Sequence, residues 1–120
     1  MGLAVALGTD DLDDHALLRA AIDRGAFGAQ GLEVSLVILD ADEAVAAVLD
    51  GRADVAITTR APVIQALVGG APLAVYALVG ATAIVMHERT FFERTPAIFA
   101  FMAAVGFDYG RLLVDRDEGV

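Results

Sequence analysis

Glycine punctuation is the feature that most narrows what this chain can fold into. Short runs of aliphatic and β-branched residues alternate with longer runs of helical spacing, and a glycine closes most of them. Residues 3–7 form a first apolar strand ending at Gly8. Asp13 or Asp14 is placed to cap a helix with Leu18, Ala21 and Ile22 on one face, stopped by Gly25 and Gly28. Residues 32–39 form a second strand, and Asp40 with Glu43 makes a capping-box variant opening a helix that packs through Val45, Val48 and Leu49 and stops at Gly51. After a strand at residues 53–58, Thr59 and Pro62 start a helix whose buried stripe is expected at Val63, Ile64, Leu67 and Val68, ahead of Gly69-Gly70. Residues 73–79 and 82–87 read as strands on either side of Gly80, or as one long strand with a bend. Thr95-Pro96 is expected to open a last helix with Ile98, Phe99, Met102 and Val105 inward and Gly106 as its stop. The tail at residues 107–120 then reads as a further strand with a frayed end.

Strands alternating with helices of this length predict an α/β fold, a three-layer αβα sandwich around a mainly parallel sheet of about five strands. At 120 residues the chain holds one domain, residues 1–120, with a single core. The apolar share, 58%, exceeds the usual globular value, so either the core is large or some apolar surface meets a partner. A net charge of −9 repels phosphate backbones and argues against a nucleic-acid partner. Residues 61–86 carry no charge and are long enough on paper to cross a bilayer. Pro62, Gly69-Gly70, Pro72 and Gly80 cut the stretch into pieces that suit strands covered on both faces, so no membrane span is expected. The first residues lack a basic segment and reach Asp10 and Asp11 too soon for a secretion signal.

Few residues can carry chemistry. Cysteine is absent, which removes disulfides, thiolate metal sites and thiol nucleophiles. Ser35, the only serine, lies mid-strand outside any nucleophile elbow, and His15 and His87 lack metalloprotease spacing. Gly25, Gly28 and Gly31 close a helix and precede a strand, the reverse of a dinucleotide fingerprint. Asp10, Asp11, Asp13, Asp14 and His15 cluster at the first strand-to-helix turn. They suit helix capping, a hard cation or zinc, or attraction of an amine-bearing or cationic ligand, and their acceptors could take a ligand's N–H and O–H groups. Thr58, Thr59 and Arg60 offer hydroxyls, free backbone N–H groups and a guanidinium to a carboxylate, sulfonate or phosphate, or else a plain helix cap. At Gly80-Ala81-Thr82 a small residue permits a bend or close backbone approach to a ligand. His87, Glu88 and Arg89 read as a solvated strand end.

Two phrases are more particular than their glycines. Arg24-Gly25-Ala26-Phe27 followed by Gly31-Leu32-Glu33-Val34, answered by Leu49-Asp50-Gly51-Arg52-Ala53-Asp54-Val55, resembles the first lobe of type II periplasmic solute-binding proteins, within them the THI5/NMT1-like group of sulfonate, nitrate and pyrimidine-precursor binders. The resemblance spans residues 8–88. It implies the substrate-binding component of an ABC importer, not an enzyme and without a cofactor or metal, facing an ABC permease from the periplasm or the cell exterior. A chain of any other role would be cytoplasmic. The implied solute is a small polar organic molecule at the C-terminal edge of the sheet, in contact with Asp10, Asp11, His15, Thr58, Thr59, Arg60 and Thr82. The Leu-Lys-Gly-Lys entry to a second lobe is absent, and one lobe offers half a cleft. The opposite wall is then missing or supplied by another chain, most simply as a homodimer. Two alternatives stand beside this reading: a truncated or designed single-lobe scaffold that dimerises without ligand, and a small enzyme of the naphthoate-synthase or decarboxylase type. The cysteine-rich iron motif of the pyrimidine synthase in this group is absent.

Overall fold

The computed structural model describes residues 2–9, 12–79 and 81–118. Strand β1 (Gly2–Gly8) leads to α1 (Leu12–Asp23), a short α2 (Ala26–Ala29), β2 (Glu33–Ile38), α3 (Ala41–Leu49), β3 (Val55–Thr59), α4 (Arg60–Val68), β4 (Leu73–Val79), β5 (Thr82–His87), a 3₁₀ turn (Glu88–Thr90) and α5 (Phe91–Glu118). The five strands form one sheet in the order β2-β1-β3-β5-β4. β1 pairs in parallel with β2 and β3, whereas β5 pairs antiparallel with both β3 and β4. Four strands therefore point one way and β5 alone is reversed, because the short link after β4 can join only antiparallel neighbours. The sheet is mixed in its pairings, and the single long bent strand is not formed.

Alternation along the strands sorts large residues from small ones. Leu3, Val5, Leu7, Val55, Ile57, Ile84 and Met86 face α1, α2 and α5, where they pack on Leu18, Ala21, Phe27, Ile98 and Phe101. The rings of Phe27 and Phe101 stack with centroids 5.0 Å apart, joining α2 to α5. Full burial of each such side chain stabilises by about 1.5–3 kcal/mol. On the other face Ala6, Ala56, Ala83 and Val85 meet Ala44, Val45, Ala47 and Val48 of α3, with Val63 of α4. Alanine on both sides brings α3 close to the sheet, and Gly8 is part of that closeness: a Cβ there would lie 2.7 Å from the Ala44 Cβ and 3.0 Å from the Ala41 Cα. The expected cap of α3 is formed, Asp40 accepting the Glu43 N–H at 2.8 Å.

Several expectations need correction. α1 is described from Leu12, so Asp13 and Asp14 fall within its first turn rather than ahead of it. Gly25, at φ +70°, ends α1, but Gly28 sits inside the additional short helix α2. In α4 only Val63 is buried, while Ile64, Leu67 and Val68 are exposed. A helix of nine residues buries one narrow stripe, and this one leans on α3, β3 and β5, leaving an apolar groove between Ile64 and Leu67 and Val75 and Leu78 of β4. α5 begins at Phe91 and takes in Pro96. Pro96 has no N–H to offer the Phe92 carbonyl, while the Thr95 hydroxyl donates to the Phe91 carbonyl. Its inward stripe is Ala97, Ile98, Phe101 and Ala104, with Met102 and Val105 partly buried against the core as expected and Phe99 instead exposed, edge-on to Tyr76. The helix continues past Gly106 to Glu118 where a strand was expected, in a segment with Val114 as its only β-branched residue up to that point. A helical glycine costs only about 1 kcal/mol, too little to stop it.

Candidate functional site

The strand directions gather the candidate residues at one edge of the sheet. β1, β2, β3 and β4 all end there, and the reversed β5 begins there. Gly8 is level with Thr58, and Thr59 lies directly opposite Thr82. α1, α3 and α4 start from this edge, so three positive helix ends converge on it. They are not equivalent. Asp40 caps α3, and Asp42 and Glu43 add negative charge to its first turn. α4 has no acidic residue in its first turn, and its N-cap Thr59 makes no capping hydrogen bond through its side chain. The hydroxyl of Thr59 and the first N–H groups of α4 thus stand beside Thr82 with no carboxylate of their own helix to answer them.

Thr58 and Thr59 have opposite fates. Thr58 is fully buried, and its hydroxyl lies 3.3 Å from the Gly8 carbonyl and 3.4 Å from that of Ala41, tying β1, β3 and α3 together. One proton shared between two carbonyls leaves none for a ligand, so the side chain of Thr58 positions the edge instead of lining it. His15, half-buried in α1, places Nε2 on the Thr9 carbonyl at the end of β1. Nε2 is then the donor, and in the neutral ring Nδ1 is left as an acceptor. Arg60 is exposed, and its side chain lines the α4–β4 groove, across the sheet from α1. Asp10, Asp11 and Gly80 lie outside the described residues.

Beside Thr82 the edge opens into a recess of about 170 Å³ between the sheet, α1 and α5, walled by Leu17, Leu18, Ile57, Ile84, Phe101 and Met102. Its walls carry no chemical signature, so they escape a search of the sequence for reactive side chains. Among the described residues no three His, Asp or Glu side chains converge on a common point. Ser35 lies exposed on edge strand β2. The uncharged stretch of residues 61–86 is α4 with the β4–β5 hairpin, and among the described residues no helix is long and apolar enough to cross a membrane.

Comparison with known proteins meets the same part of the chain. A solved protein from Bordetella bronchiseptica RB50 is similar, with 27% identity and a TM-score of 0.53 over 64% of this chain and 24% of that one. The periplasmic aliphatic sulphonate binding protein of Escherichia coli aligns with 20% identity and a TM-score of 0.49, over 62% of this chain and 24% of that one. The chain thus spans about a quarter of the length of these solved relatives. No curated protein matches its sequence. The profile of the family described as NMT1/THI5 like matches residues 13–91, a stretch running from the first turn of α1 to the start of α5 and holding both glycine-bounded phrases. On that match the chain belongs to the NMT1/THI5-like family and has the architecture of one lobe of a type II periplasmic solute-binding protein.

Proposed function

We propose that this chain is a non-enzymatic solute-binding lobe serving an ABC importer outside the cytoplasm, with a permease as its partner. It would hold a small polar organic solute at the C-terminal edge of the sheet. The observation that carries the reading is the start of α4: an N-terminus with no acidic first turn, its Thr59 hydroxyl unspent on capping and directly opposite Thr82. An anionic group on the solute would take the α4 N–H groups with the hydroxyls of Thr59 and Thr82, and Arg60 would add long-range attraction from beside it. Nδ1 of His15 would accept a solute N–H or O–H, with Asp10 and Asp11 assigned the same role. Thr58 would keep the edge in place.

The test is a thermal-shift screen of organic sulfonates, carboxylates and pyrimidine-like solutes, followed by titration of Thr59→Ala with Arg60→Gln. Losing one charge-assisted hydrogen bond and the long-range attraction of a guanidinium should weaken binding about tenfold or more. Unchanged affinity in the double variant would remove the edge from consideration.

The dimerising-scaffold reading has its own observation: Ile64, Leu67, Val68, Val75 and Leu78 are all exposed along α4 and β4. Light scattering at micromolar concentration decides it, because a monomer that still binds solute excludes the scaffold and a dimer indifferent to every solute favours it.

A further inference from the structure

The opposite edge of the sheet holds a polar cavity, of about 340 Å³, between the loop leaving α3 and the start of α5. Asp50, Asp54, His87, Arg89, Thr90 and Arg94 line it. Its two carboxylates are already engaged. Asp50 accepts the Arg52 Nε–H, with oxygens at 2.7 and 2.9 Å, and the Arg52 backbone N–H at 3.1 Å. Desolvation, which acts to raise the Asp50 pKa, is outweighed by these bonds and by the charge of Arg52, which hold the carboxyl below its usual range and keep it ionised. Asp54 accepts the Ala4 N–H at 2.8 Å through one oxygen, and its other oxygen lies 3.4 Å from Arg94 Nε.

The donors are not all engaged. Arg94 Nε is shielded from solvent and has no hydrogen-bond partner, because Asp54 is near enough for charge attraction but not aligned to accept. A buried donor left in that state is costly, and it leaves the positive charge of Arg94 only partly answered in the cavity wall. His87 accepts the Arg89 backbone N–H at Nδ1, at 3.1 Å, so in the neutral ring Nε2 carries the proton. The guanidinium of Arg89 has no ion-pair partner among the described residues. With Asp50 answered by Arg52 and Asp54 by Arg94, the positive charge of Arg89 is left over, in a chain whose net charge is −9.

We infer that this cavity binds a small free oxyanion, held by Arg89 and Nε2–H of His87, with the guanidinium charge of Arg94 in the cavity wall. The site is separate from the solute edge, at the other end of the strands, and does not depend on the solute reading. Inorganic phosphate is the probe, titrated calorimetrically into the wild-type chain, Arg89→Gln, and Thr59→Ala with Arg60→Gln. Saturable 1:1 binding is expected in the wild type. It should weaken about tenfold to a hundredfold in Arg89→Gln, as expected for the loss of a charged hydrogen-bond donor, and hold within twofold in the edge double variant. Arg89 is exposed, so its replacement should leave the phosphate-free melting temperature unchanged. Absence of saturable binding in the wild type would mean that water alone occupies the cavity, and would overturn the inference. So would binding that survives in Arg89→Gln and fails in the edge variant, because it would place the ion at the opposite end of the sheet.

Discussion

Gly8 and Asp54 hold the same strand at its two ends by different means. At the C-terminal end of β1 a single methyl group is excluded, since it would press on Ala44, Ala41 and the Asp40 carbonyl together. Gly8→Ala should therefore cost about 1–3 kcal/mol by urea denaturation, as overpacking does. At the other end Asp54 accepts the Ala4 N–H, donates its own N–H to the Ala4 carbonyl and faces Arg94. Asp54→Ala should cost a similar amount, about 1–3 kcal/mol, by leaving the Ala4 donor and the Arg94 charge without an acceptor. Asp40→Ala removes one exposed cap bond from α3, and about 1 kcal/mol is expected on the same measurement. A loss at Gly8 smaller than that at Asp40 would mean that α3 can move away from the sheet.

Among the elements, those bounded by a chemical signal were legible in the sequence. The strands showed as aliphatic and β-branched runs, and Asp40 with Glu43 announced α3 because cap and helix lie within four residues of each other. What escaped depends on contacts between distant segments. Nothing local tells Val63 from Ile64 or Ile98 from Phe99; which of each pair is buried follows from where α4 and α5 come to lie on the sheet. Thr58 and Thr59 present the same problem at the candidate site, since adjacent strand residues face opposite ways and only the position of α3 decides which is sealed in. The start of α5 was misplaced because Thr95-Pro96 reads locally as a helix start, whereas the helix begins at Phe91 and carries the proline as a defect. Pro96→Ala should therefore stabilise the chain by about 1–3 kcal/mol, seen as a higher melting temperature. No change, or a loss, would mean that the proline suits the first turns of α5 better than a regular helix would.

For the molecule as a whole, the proposed solute edge would form half of a cleft. A ligand held well has most of its surface buried, and a single edge covers one side only. The lone chain should bind its solute at about millimolar affinity, the range of a few hydrogen bonds without enclosure. Titration followed by NMR would measure this, and micromolar binding by a proven monomer would mean that the recess beside Thr82 encloses more of the solute than an open edge does. The coupling of parts also has a direction. Thr59 and Thr82 meet through the β3–β5 register, while β4 lies outside that pairing at the rim of the sheet.

That arrangement bears on the irregularity between Val75 and Ala77, where β4 shifts register against β5. A bulge lets a strand carry one residue more than its partner without moving anything beyond it. The sheet can thus absorb changes of length in β4, but none between Thr82 and His87, where one residue gained or lost would turn every side chain of β5 over and separate the two threonines. Chains related to this one should vary in length at the rim and keep it constant in the reversed strand, and deletion of Tyr76 should leave the solute edge working where deletion of Ile84 abolishes it.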